Sequence, residues 1–149
     1  MKKCNDVMTK DPFCCLPDDT VVKAAQLMKA KDIGSLPVIK SENAKSLIGI
    51  VTDRDLALEI VAEGRDPKNT KVEDVMTDTI VSCRAEDNLQ EVMDVMSVYQ
   101  LRRMPVVDDE NRIIGIIAQA DVATRTDQPE RTAEVIKGIS QPGVIILKR

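Results

Sequence analysis

An apolar stripe at helical spacing, followed by two short apolar runs around a polar turn, occurs twice along the chain. Val21, Ala24, Ala25, Leu27 and Met28 recur at the spacing of an amphipathic helix, with Asp19-Thr20 ahead of them as N-cap chemistry. Leu36 to Lys40 and Leu47 to Val51, joined by the polar turn Ser41 to Lys45, predict two short strands. Further on, Leu89, Val92, Met93 and Met96 behind Asp87-Asn88 predict the same helix again. Met104 to Asp108 and Ile113 to Ile117, around Asp109-Glu110-Asn111, predict the same strand pair. Short extended pieces at Pro12 to Leu16 and Thr79 to Cys83 precede the helices, and second helices begin near Asp53 and Gln119.

The recurrence keeps register. Asp6-Val7-Met8-Thr9 returns 68 residues later as Asp74-Val75-Met76-Thr77, and the same offset carries Leu36-Pro37-Val38 onto Met104-Pro105-Val106. After a two-residue deletion, Gly49-Ile50-Val51 meets Gly115-Ile116-Ile117, and Asp55-Leu56 meets Asp121-Val122. Register of this length marks a duplication. The expected fold class is α/β, two tandem βαββα repeats over residues 1–63 and 72–126, with a linker at 64–71. Residues 127–149 are expected to add a short helix over Pro129 to Gly138 and an apolar tail at Gly143 to Leu147. One such repeat is marginal alone, so the two are expected to pack about a pseudo-two-fold axis with a cleft between them.

Composition removes several functions. The net charge is −4, so nucleic acid is not expected as a main partner, because phosphate neutralisation needs a basic surface. No apolar run approaches the ~20 residues that span a bilayer, and Met1-Lys2-Lys3 leads into no apolar stretch; a cytoplasmic protein off the membrane is expected. There is no histidine, which removes the commonest acid–base group near neutrality and the usual activator of nucleophiles, so no enzyme is expected. Cys4, Cys14, Cys15 and Cys83 show no C-x-x-C spacing and read as free thiols. A thiol- or metal-responsive switch built on Cys4, Cys14 and Cys15 is the alternative.

Gly49-Ile50-Val51-Thr52-Asp53-Arg54-Asp55 lies where a strand turns into a helix. Free N–H groups there suit a phosphate, the Thr52 hydroxyl and Arg54 can join them, and Asp55 can accept both hydroxyls of a ribose. The same Thr-x-x-Asp spacing is also a capping box, which needs no ligand. In the second copy Ala118 stands in place of Thr52 and cannot cap with its side chain, yet Asp121 is present, which favours a ligand role. Gly34 and Ser35 leave room for a flat ring against the backbone, with Ile33 and Leu36 as apolar faces. Arg102 and Arg103 suit phosphate oxygens, or are solvated cations paired with Asp108, Asp109 or Glu110.

Two copies of D-V-M-T, a helix, a short segment before Pro-Val and then G-I-V-T-D-R-D or its altered form resemble a pair of cystathionine-β-synthase (CBS) domains, a Bateman module, over residues 6 to 125. Without an attached catalytic domain, the chain resembles the stand-alone bacterial CBS-pair proteins. The resemblance implies a regulatory sensor that binds an adenine nucleotide (AMP, ADP or ATP) or a related adenosyl ligand in the cleft between repeats without consuming it. It implies that Thr52 and Asp55 hold phosphate and ribose; Asp121 matches that pattern and Ala118 departs from it. It places adenine against Thr9, Ile33, Gly34, Ser35 and Leu36 in the first copy and against Val81 and Leu101 in the second. It lets Arg102 and Arg103 reach a phosphate, and implies a homodimer with no cofactor. A ligand-free scaffold for a protein partner is the alternative.

Overall fold

A computed structural model describes residues 2–125 and 136–139. In chain order it contains the helical turn α1 (Cys4–Val7), β1 (Thr9–Lys10), α2 (Val21–Lys31), β2 (Ser35–Ile39), β3 (Leu47–Thr52) and α3 (Asp53–Leu56). A π-helical turn (Ala57–Val61) extends α3, and 3-10 turns follow at Pro67–Asn69 and Val72–Asp74. The second half runs through β4 (Cys83–Arg84), α4 (Leu89–Tyr99), β5 (Arg103–Val107), β6 (Ile113–Ala118) and α5 (Gln119–Arg125). The mixed α/β architecture with tandem repeats is the one the sequence predicts.

Each long helix starts and stops for a local reason. The Thr20 hydroxyl accepts from Lys23 N at 3.2 Å and the Asn88 side chain from Gln90 N at 2.8 Å, capping α2 and α4. Both helices end on a residue in the left-handed region, Asp32 at φ 54° and Gln100 at φ 54°. The apolar stripe of α2 buries Val21, Ala24 and Met28, whereas Ala25, expected on that stripe, is exposed. All four expected residues of α4, Leu89, Val92, Met93 and Met96, are buried.

The chain divides into two compact units, a central one over Pro12–Ile80 and a terminal one formed by residues up to Asp11 and from Val81 on. In the central unit β2 and β3 form an antiparallel hairpin, with Leu36 opposite Val51 and Ser35 opposite Thr52. Single bridges flank the hairpin, Cys15 to Val38 in parallel and Thr77 to Ile50 antiparallel. In the terminal unit the strand order is β1-β6-β5-β4, with Cys83 opposite Val106 and Thr9 opposite Ile116. These are the same pairs at repeat-equivalent positions.

The compact units are therefore cut at different places from the sequence repeats. The D-V-M-T segment of each repeat completes the sheet built from the other repeat's strands. Two glycines make this packing possible. A Cβ on Gly49 would stand 2.5 Å from Met76 Sδ and 3.1 Å from the Thr77 carbonyl; on Gly115 it would stand 2.5 Å from Met8 Sδ. The two halves of the repeated motif, Met-Thr and Gly-Ile, are thus partners in space.

Each unit has its own core. Val21, Met28, Leu36, Val38 and Val51 anchor the central one, and Met93, Met96, Met104, Val106 and Ile117 the terminal one. The expected linker is structured: Thr70 is buried, Val21 N donates to its carbonyl at 2.9 Å, and Lys71 bridges to Thr20. Of the helix expected over Pro129 to Gly138 only the end is described, where residues 136–139 are helical. The tail Gly143 to Leu147 lies outside the described residues. Among the described residues no helix is long and apolar enough to cross a membrane.

Candidate functional site

In the central unit the hairpin register brings Gly34 and Ser35 to Thr52-Asp53-Arg54-Asp55. Ser35 pairs with Thr52, and Asp53 N donates to the Gly34 carbonyl at 2.9 Å. The capping box is formed: Asp55 N donates to Thr52 Oγ1 at 3.1 Å, and Thr52 N donates to Asp55 Oδ2 at 2.9 Å. Thr52 and Asp55 are only 3% and 4% exposed, whereas Arg54 projects into solvent. Ile33 is half-buried and closes α2 by donating its N–H to the Met28 carbonyl at 3.0 Å. Leu36 departs from its expected role, because its side chain lies wholly in the core and leaves only backbone to face a ring.

Thr77 is the residue that reading the chain in order missed. It lies opposite Ile50 on the strand edge beside Thr52, and both backbone hydrogen bonds between Thr77 and Ile50 are 2.9 Å. Its hydroxyl oxygen is buried and has no hydrogen-bond partner among the described residues. An unbonded buried hydroxyl costs free energy that a bound group would recover. The repeat offset that carries Thr9 to Thr77 held this signal. Thr9, assigned to the first copy's site, stands instead in the terminal unit, exposed and paired with Ile116.

The terminal unit repeats the arrangement with different side chains. Arg103 pairs with Ala118, and Gln119 N donates to the Arg102 carbonyl at 2.9 Å. Asp121, 9% exposed, accepts from Ala118 N at 2.7 Å. The reciprocal box is absent, as Ala118 requires, but one-sided capping holds Asp121 without a ligand, so its presence does not by itself favour a ligand role. The half of the box that runs from the carboxylate to the backbone needs no side chain at position 118. Leu101 is buried in the terminal core and offers little surface to a ring, whereas Val81 packs against that core and stays half-buried.

The acids proposed as partners for the arginines are taken by other cations. Arg112 bonds Asp108 at 2.8 Å and Glu110 at 3.2 Å, and Arg84 bonds Asp109. Arg102 is exposed and Arg103 half-buried. Both line a pocket of about 380 Å3 together with Ala118, Gln119, Ala120 and Ile136, a volume in the small-ligand range.

The cysteines divide between the units. Cys83 Sγ donates to Cys4 Sγ at 3.8 Å inside the terminal unit; that contact and burial push the Cys83 thiol up. Cys14 and Cys15 lie in the central unit, where burial pushes their thiols up to about 11 and about 12. All four are free. Among the described residues no group of three or more His, Cys, Asp or Glu is placed to hold a metal ion.

Comparison with known proteins gives this geometry a family. The model of the CBS domain matches residues 4–62 and 72–126. The chain is 34% identical over 144 residues to the CBS domain-containing protein YhcV of Bacillus subtilis, covering 97% of this chain and 99% of that one. It is 37% identical over 130 residues to the inosine-5'-monophosphate dehydrogenase of Methanocaldococcus jannaschii, but spans only 25% of that protein's length and 87% of its own. Among solved structures, Hypoxic Response Protein I with two coordinated zinc ions superposes with a TM-score of 0.74 at 31% identity, covering 84% of this chain and 99% of that one. The CBS domain pair of protein MJ0100, in complex with 5'-methylthioadenosine and S-adenosyl-L-methionine, superposes with a TM-score of 0.74 at 26% identity, covering 83% and 94%. A duplicated strand-pair and helix with Gly-Ile packed against Met-Thr in each unit, matched along nearly its whole length by such relatives, makes this chain a member of the CBS domain family, a CBS pair.

Proposed function

We propose that this CBS pair is a non-catalytic regulatory module whose ligand is an adenine nucleotide or a related adenosyl compound. One observation carries the reading: in both units the residues before the middle strand are hydrogen-bonded to the start of the final helix, with a buried aspartate one turn in. The central unit offers small residues, a buried unbonded Thr77 hydroxyl and the Thr52–Asp55 pair, a set suited to a ring and a sugar. The terminal unit offers Arg102 and Arg103 beside a pocket, a set suited to phosphate. The adenosyl ligands of the MJ0100 pair support the same ligand class. Binding shifts the module between states that hold the ligand unequally, and the ligand is not consumed.

Calorimetric titration of the full chain with AMP, ADP, ATP, 5'-methylthioadenosine and S-adenosylmethionine, with GTP as the control, tests this. At least one adenosyl compound is expected to bind better than GTP; heat from none of them would sink the reading. We also propose a homodimer joined through helical faces. Val61 is 79% exposed at the rim of an apolar groove lined by Val21, Val22, Leu56 and Ile60.

A further inference from the structure

The pocket beside Arg102 and Arg103 has a wall that the repeat does not supply. Ile136 comes from the helical turn at residues 136–139, beyond the segment matched by the CBS domain. Three contacts hold that turn on the terminal unit. Gln100 Nε2 donates to the Gly138 carbonyl at 3.1 Å. Ile139 is 6% exposed and belongs to the terminal core. Gly138 lies so close to α4 that a Cβ there would stand 2.0 Å from Ser97 Oγ. Ile136 itself stays half-buried, with part of its side chain open to the pocket.

We infer that Ile136 is a specificity-determining residue of the terminal ligand site, lining it from the C-terminal segment in the same pocket as the two arginines. The inference rests on the nucleotide reading above. The pocket combines two guanidinium groups with the methyl-bearing Ala118, Ala120 and Ile136, so it takes a ligand that is anionic at one end and apolar at the other. A neutral Ile136 leaves the arginines as the cations that the ligand's phosphate meets. A charge placed at this position adds to or offsets that of the arginines within one small pocket, and its sign decides the direction. Because the side chain is half-buried, either charge can reach water, and the same position accepts both signs.

ADP titrated into the unaltered chain and into Arg102→Ala identifies the terminal site as the binding event weakened in the variant. Ile136→Glu is expected to weaken that event and Ile136→Lys to strengthen it, each on the order of fivefold, with adenosine affinity unchanged between the two. Opposite shifts of this kind cannot come from partial unfolding, which weakens binding whatever the charge. ADP affinities equal to wild type in both variants would overturn the inference and leave the nucleotide reading standing. Absence of any ADP event sensitive to Arg102→Ala would overturn both.

Discussion

Gly49 and Met76 meet so closely that a Cβ on the glycine would come within 2.5 Å of the methionine sulfur and 3.1 Å of the next carbonyl oxygen. The sulfur must swing aside and give up its packing, and the Thr77 carbonyl is held in place because it accepts from Ile50 N at 2.9 Å. Gly49→Ala is therefore expected to destabilise the chain by about 1–3 kcal/mol, in the range of overpacking. The double variant with Met76→Ala should recover part of that loss, since contacting residues couple. Urea denaturation of the four proteins checks this, and strictly additive losses would contradict the contact.

Asp55 and Asp121 differ in how much of a capping box they close. Ala118→Ser supplies the missing hydroxyl for Asp121 N and is expected to stabilise the chain by about 0.5–1 kcal/mol. Asp55→Ala removes a complete box and is expected to cost about 1–2 kcal/mol, whereas Asp55→Asn keeps an acceptor for Thr52 N and costs less. Melting temperatures rank the three. A gain from Asp55→Ala would mean that its carboxylate is strained for a ligand and caps nothing.

The elements, their caps and the duplication were legible because apolar spacing and N-cap residues act locally. The exchange of D-V-M-T segments was not, since a repeat offset is the same whether Thr9 folds onto its own copy or onto Ile116. Nor was the burial of Leu36: a residue beside a site and a residue beneath it have the same spacing in sequence. Thr77 was within reach of the offset, but its unbonded hydroxyl is a property of the packed sheet alone. The role of Ala118 was half legible, because a missing side chain says nothing of the backbone N–H that Asp121 still binds.

Arg102 separates phosphate recognition from ring recognition. Arg102→Ala is expected to lower ADP affinity about tenfold while leaving adenosine affinity within about twofold, with the difference shrinking as salt is added. Parallel titrations at two ionic strengths measure both effects. Equal losses for ADP and adenosine would place the guanidinium away from the phosphate.

The buried thiols set an alkaline limit. Burial, then the nearby Asp19 charge, pushes Cys15 up to about 12 from an ordinary value of 9.0. The folded chain thus holds this proton where the unfolded chain has released it. Stability contributed by the neutral thiol is complete below about pH 9 and falls as pH rises toward 12, by up to ~1.4 kcal/mol per pH unit. Denaturation curves of wild type and Cys15→Ala, compared at pH 8 and about pH 10.5, should show a smaller alkaline loss in the variant.

Val61 tests the assembly. Val61→Glu places a charge at the rim of the apolar groove and is expected to turn a homodimer into monomer at unchanged helix content. Sedimentation velocity reads the change, and identical sedimentation of both proteins would remove this groove from the contact.

The division of the chain into a contiguous middle and a split exterior also orders its birth on the ribosome. Residues 12–80 are contiguous, hold both the hairpin and the Thr77 that pairs with Ile50, and can begin to collapse as soon as they emerge. Residues 4–10 must wait, because the strand that receives Thr9 is not synthesised until Ile116. A stretch made before residue 12 thus finds its place after residue 116, and a chain terminated after the first repeat would leave that stretch without its strand while depriving Gly49 of the methionine it was shaped to fit.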